Sequence, residues 1–177
     1  PMSIMVGVGK AAQLGVLIRD AEALERMEKV DTLVVDKTGT LTEGKPSVTH
    51  IFPEEGFTEA EVLRFSAAVE RLSEHPYAKA IVGAARAKEL QVPAVTDFDS
   101  PTGKGVLGTV EGKRVLLGSA EFLKEHKIET ERLSELAGVR RREGATVIFV
   151  AIDAQVAGML SIADAIKPTT AKALDGL

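Results

Sequence analysis

The sequence predicts an α/β protein with two kinds of sheet. One is parallel and is entered by a single buried strand; the other is mainly antiparallel and belongs to a larger α+β lobe. Leu33-Val34-Val35 lacks the polar alternation of a half-exposed strand, so it reads as buried on both faces, the habit of parallel sheets. Further along, short apolar strands joined by tight turns at Gly112 and Asp153-Ala154 alternate with capped helices. That succession is the pattern of an antiparallel sheet covered by helices.

Taken in order, Pro1 to Arg19 contains two bases and no acid, and no window approaches the roughly 18 uninterrupted apolar residues of a membrane span. No basic region precedes an apolar core and cleavage site, so it is not a signal peptide. Pro1 to Lys10 instead reads as the inner end of a membrane helix, with Lys10 and Arg19 on the inner side. Asp20 to Lys29 is a helix, acids early and Lys29 late, as the helix dipole prefers. It feeds the strand that ends on Asp36. At the carboxyl end of such a strand open α/β sheets place their ligands. A carboxylate there, beside Lys37 and the amides and hydroxyls of Thr38, Gly39 and Thr40, can attack a phosphoryl group and form an aspartyl-phosphate.

The run Asp36-Lys37-Thr38-Gly39-Thr40-Leu41-Thr42 resembles the phosphorylation signature of the P-type ATPases, within the haloacid-dehalogenase-like superfamily. The resemblance implies catalytic roles for Asp36, Lys37 and Thr38, and a partial magnesium site at Asp36 and Thr38. Phosphatases of that superfamily carry a second aspartate two residues after the nucleophile, as general acid and then base. Thr38 stands there and cannot deprotonate water, so the phosphoenzyme is expected to persist and be coupled to other work. Gly15-Val16-Leu17-Ile18, with Ala21 to Glu25, resembles the copper-transporting branch of the heavy-metal pumps.

Glu43-Gly44-Lys45-Pro46 is a turn cluster expected at a hinge between lobes. Gly39-x-x-x-x-Gly44-Lys45 imitates a P-loop, but Pro46 occupies the place of the magnesium-holding Ser or Thr, which rejects that reading. Ser47 to Phe52 alternates as a strand. Thr58-x-x-Glu61 is a capping box, followed by a stripe of Val62, Phe65, Val69 and Leu72 with Glu70 just off it. Pro76 starts the next helix, Tyr77 to Leu90. Ser73-Glu74-His75-Pro76 is similar to the nucleotide-domain signature of metal-transporting P-type ATPases, which implies that Glu70 and His75 contact adenine. By itself the His-Pro pair is a helix junction.

Gly103-x-Gly105-x-x-Gly108 satisfies a dinucleotide fingerprint, but two strands around Gly112 follow it instead of a helix, so that reading fails. In the family a similar Gly-x-Gly segment lines the ATP pocket, Gly103 and Gly105 letting the backbone approach the ligand. Gly118-Ser119 stands where the family has Gly-Asn beside the nucleotide, and Ser119 also caps the helix Ala120 to His126. Thr130 is expected to cap a helix to Glu143, whose Arg140-Arg141-Arg142 run reads as a solvated C-terminus. Ala145 to Ile152 and Val156 to Ile162 form a hairpin. Ala163 to Thr170 resembles the family segment returning to the phosphorylation domain, with Asp164 and Lys167 keeping the charged positions and Pro168 starting a helix.

The implied organisation is 1–30 membrane-helix end and linker, 31–43 first part of the phosphorylation domain, 44–158 inserted nucleotide-binding domain, and 159–177 second part of the phosphorylation domain. The family's Thr-Gly-Asp segment, later lysine and magnesium loop are expected beyond Leu177, so this chain alone should bind ATP without turnover. The implied setting is the cytoplasmic face of a membrane, with the pump's own membrane and actuator domains as partners and no transported ion bound here. A net charge of −4 argues against nucleic acid, the absence of cysteine excludes disulfides and thiolate metal sites, and His50, His75 and His126 show no ligand spacing. Two other readings stay open: a soluble haloacid-dehalogenase-like phosphatase with a cap lobe, and a nucleotide-binding module without catalysis.

Overall fold

A computed structural model describes residues 2–176, in two compact units that divide between Asp36 and Lys37. The first unit holds α1 (Met2–Gln13) and α2 (Ala21–Met27). The Asp20 side chain caps α2 by accepting from the Glu22 amide at 3.0 Å, and Arg26 reaches back to it at 3.2 Å. Among the described residues no helix is long and apolar enough to cross a membrane. The expected strand at Leu33–Val35 is not formed: the segment is irregular, with Val34 93% exposed. A strand apolar on both faces needs strands beside it and helices above and below, and no described segment pairs with it.

The second unit is one six-stranded antiparallel sheet with a helix pair on each face. Its strands are β1 (Thr42–Pro53), β2 (Val95–Asp99), β3 (Gly105–Val110), β4 (Lys113–Gly118), β5 (Thr146–Ile152) and β6 (Gln155–Ile166), in the order β1-β6-β5-β4-β3-β2. The helices are α3 (Glu59–Glu70), α4 (Pro76–Ala87), α5 (Ala120–Glu125), α6 (Glu131–Arg142) and α7 (Thr170–Asp175). On β5, Val150 and Ile152 pack toward α3 and α4 while Val147, Phe149 and Ala151 pack toward α5 and α6. With both faces covered, the two faces of one strand are equally apolar, which is why the central strands read as continuous apolar runs.

The capping box of α3 is complete: Glu61 N–H donates to the Thr58 hydroxyl at 3.2 Å and the Glu61 carboxylate accepts from Thr58 N–H at 3.0 Å. Val62, Phe65 and Val69 are buried as the stripe requires, but Leu72 lies past the helix end and is 53% exposed. Pro76 occupies the first turn of α4. Asp153 and Ala154 turn the β5–β6 hairpin with φ of 49° and 63°.

Three further expectations are corrected, and one strand is added. Glu43-Gly44-Lys45-Pro46 is a bulge within β1, its partners jumping from Thr42↔Ile166 to Pro46↔Asp164, with Gly44 at φ +72°. The turn chemistry is present, but Asp164 holds it inside the ladder. Thr130 precedes α6 without a side-chain cap bond, because its ψ of 13° departs from the extended geometry an N-cap needs. The Arg140 and Arg141 guanidinium groups lie 5.3 Å and 5.8 Å from the Phe52 and Phe149 ring centroids, so the basic end of α6 covers the sheet as well as facing water. Val95–Asp99 is an edge strand that the sequence reading did not identify.

Candidate functional site

The phosphorylation-like loop begins at the first residue of the second unit. Lys37–Leu41 forms a wide turn, opened by extended Thr38 (φ −76°, ψ 121°) and by Gly39 at φ +77°. Thr42 organises it. Its hydroxyl accepts from Gly39 N–H at 3.1 Å and sits 3.1 Å from the Lys37 carbonyl and 2.5 Å from Asp164 Oδ2. The single hydroxyl proton has two acceptors within reach, and the shorter, charge-assisted contact to Asp164 takes it. Gly44 and Lys45 amides donate to the same carboxylate at 3.0 Å each. The Thr42 hydroxyl foremost, with those amides and the Lys37 charge, holds the Asp164 carboxyl below its ordinary range. Lys167 Nζ donates to the Gly39 carbonyl at 2.6 Å and the Thr170 hydroxyl to that of Leu41 at 2.7 Å. Asp164 and Lys167, the two charged positions noted in the tail, thus fasten the loop that follows Asp36.

Asp36 belongs to the first unit and Thr38 to the second. Among the described residues no group of three or more His, Cys, Asp or Glu is placed to hold a metal ion.

The second feature is a cavity of about 330 Å³ in the second unit, lined from four places. The junction of α3 and α4 supplies Glu70, Ser73, His75 and Tyr77; the turn into β3 supplies Ser100 to Val106; β4 ends there with Leu117, Gly118 and Ser119; β5 begins there with Thr146 to Ile148. All six residues expected at a nucleotide, Glu70, His75, Gly103, Gly105, Gly118 and Ser119, line this one cavity.

Glu70 ends α3 and is 6% exposed, and its Oε2 has no hydrogen-bond partner. Burial pushes its carboxyl up, against the weaker opposing pulls of the Ser73 hydroxyl and His75. His75 is the N-cap of α4: Nδ1 accepts from Tyr77 N–H at 3.2 Å, and the ring leans on Tyr77 with centroids 4.8 Å apart. Capping therefore assigns the neutral tautomer with the proton on Nε2, a donor left over for another partner. Tyr77 is fixed by a 2.9 Å hydrogen bond to Thr146. The site presents an unpaired buried acceptor and a ring donor in one apolar cavity. A heteroaromatic ring bearing an amino group beside a ring nitrogen complements that pair.

The glycines play distinct parts. Gly103 sits at φ +73° with open space where a Cβ would project, so backbone conformation requires it. Gly105 faces Gly118 across β3 and β4, and a Cβ on Gly105 would lie 2.2 Å from the Leu117 carbonyl and 2.7 Å from the Phe122 ring. Close packing of strands and Phe122 sets these two residues, a different cause from the approach to ligand expected of Gly105. Ser119 caps α5 by accepting from Phe122 N–H at 3.2 Å. Sequence reasoning missed Tyr77, Lys104 and Thr146 as lining residues; only the fold brings β5 beside the α3–α4 junction.

A haloacid dehalogenase-like hydrolase family profile matches residues 30–177. The silver exporting P-type ATPase of Salmonella typhimurium is 54% identical over 177 residues, all of this chain and 22% of that protein. A crystal structure of a zinc-transporting PIB-type ATPase in the E2.Pi state superposes with a TM-score of 0.83 at 36% identity, covering 98% of this chain and 28% of that one. The crystal structure of the N-domain of a copper-transporting P-type ATPase matches with a TM-score of 0.58 at 32% identity, over 67% of this chain and 99% of that one. The chain spans about a fifth of the length of the curated relatives it matches. By these matches the chain belongs to the haloacid dehalogenase-like hydrolase family, among its P-type ATPases.

Proposed function

We propose that this chain is the ATP-binding and phosphoryl-accepting region of an ATP-driven heavy-metal cation pump that exports copper(I). The observation that carries the reading is the cavity lined by both Glu70, a buried acceptor without a partner, and His75, whose capping bond leaves Nε2 as a donor. Adenine carries an amino donor and an adjacent ring acceptor, so Glu70 takes the amino hydrogen and His75 donates to the ring nitrogen. Recognition of this kind discriminates well, because a base lacking the matching groups leaves a buried carboxylate unpaired.

Asp36 is the nucleophile. One carboxylate oxygen bonds to the γ-phosphorus as the bond to the β,γ-bridging oxygen breaks, and ADP leaves with that electron pair. Lys37 offers positive charge to the transferring group and Thr38 a hydroxyl and an amide. Because Thr38 has no carboxylate to activate water, the aspartyl-phosphate persists long enough to drive transport. The copper branch rests on the resemblance at Gly15 to Glu25, and relatives named for silver and copper support a soft monovalent ion. The nucleotide-binding domain is assigned to 44–158, flanked by the two parts of the phosphorylation domain.

The test is phosphoenzyme formation from γ-labelled ATP in a full-length protein carrying this chain. Acid-stable, hydroxylamine-sensitive label that disappears in Asp36→Asn is expected; label that survives the substitution refutes the assignment.

A further inference from the structure

Lys104 lies between Gly103 and Gly105, on the turn closed by its own amide donating to the Pro101 carbonyl at 3.1 Å. Among the described residues lining the cavity it alone carries a permanent positive charge, while Glu70 contributes an acid. A nucleotide triphosphate brings several negative charges into a cavity whose only other charged wall repels them. Lys104 Nζ is meanwhile paired with Glu125 at the end of α5, 2.8 Å and 2.7 Å from its two oxygens. Both side chains are about half exposed, at 50% and 51%. A pair so wet is held weakly, and its lysine is free to change partner at small cost. A compact ammonium on a flexible stem suits phosphate binding as a point charge.

We propose that Lys104 contacts the phosphates of the bound nucleotide, exchanging Glu125 for them, and so sets the preference of this cavity for polyphosphorylated over bare adenosine. This rests on the nucleotide reading of the cavity and adds to it the residue that reads the phosphate arm. Glu125 acts through Lys104, as its resting counter-ion and as a brake on phosphate binding.

The experiment is calorimetry with adenosine, AMP and ATP, in buffer containing a chelator so that no metal ion shares the charge. Wild type is compared with Lys104→Ala, Lys104→Arg and Glu125→Gln. Expected is roughly tenfold weaker ATP binding in Lys104→Ala with adenosine affinity unchanged, largely restored in Lys104→Arg. Glu125→Gln should tighten ATP a few-fold and leave adenosine alone. Equal losses for adenosine and ATP in Lys104→Ala, or an unchanged ratio between them, overturn the role of Lys104. ATP binding unaltered or weakened in Glu125→Gln overturns the exchange of partners. If wild type binds neither adenosine nor ATP, the nucleotide reading itself falls and this inference with it.

Discussion

Glu70→Gln separates what the cavity costs the fold from what it offers a ligand. The carboxylate is 6% exposed with one oxygen unpaired, and burial raises its pKa above the ordinary 4.5. A carboxyl raised in the folded state binds its proton more readily there than in the unfolded chain. Stability therefore falls as pH rises through the interval between the unfolded and folded values, and stays reduced above it. An unsatisfied buried acceptor costs about 1–3 kcal/mol, at the upper end when charged. The amide keeps the shape and removes the charge, so about 1 kcal/mol should be recovered at pH 8. For a chain of this size that raises Tm by about 2–4 °C. Thermal melts followed by circular dichroism from pH 8 toward pH 4.5 should show the gain at pH 8 and its decline as the wild-type carboxyl takes up its proton. A variant less stable than wild type at pH 8, or a difference that ignores pH, refutes the reading of Glu70 as a strained, ligand-seeking group.

Other outcomes follow from the same contacts. Gly105→Ala places a Cβ 2.2 Å from the Leu117 carbonyl, which is backbone and cannot swing aside, so urea unfolding should show a loss of about 1–3 kcal/mol. Gly103→Ala meets open space at φ +73° and should lose only about 1 kcal/mol; the reverse ranking contradicts the packing account. Thr42→Val removes the hydroxyl that joins the Gly39 amide to Asp164, so hydrogen exchange at Gly39 should quicken and Asp164 should titrate at higher pH by NMR. Because a depressed carboxyl stabilises above its unfolded pKa and loses that stability as pH falls through the folded one, wild type and variant should differ above about pH 3.8 and converge in stronger acid. An unmoved Asp164 titration would show that the hydroxyl is not what lowers it.

Much of the second unit was legible because its signals are local. The Thr58-x-x-Glu61 box, Pro76 at a helix start, Ser119 before α5 and the Asp153-Ala154 turn each depend on residues within a few positions of one another, and each is found where it was read. What was not legible depends on partners far along the chain. Leu33-Val34-Val35 has the composition of a buried strand, but a strand exists only with neighbours to pair. Glu43 to Pro46 has the composition of a loop, yet Asp164, about 120 residues on, supplies acceptors that hold it as a bulge within a strand. At the candidate site, the six residues taken from the family motifs line one cavity; Lys104 and Tyr77 join it as chain neighbours of those motifs, whereas Thr146 carried no motif and joins it only through sheet order. Gly105 lines the cavity, but close packing is what requires a glycine there. Its need is for room beside Phe122 and Gly118.

ATP titration by calorimetry, on the chain and on its His75→Ala and Glu70→Ala variants, bears most directly on the claim that the cavity reads adenine. Binding by the chain that weakens roughly tenfold or more on either change, about 1.4 kcal/mol, is the predicted result. Binding that is absent, or indifferent to both changes, would leave Ser73 to Pro76 a helix junction and contradict the account.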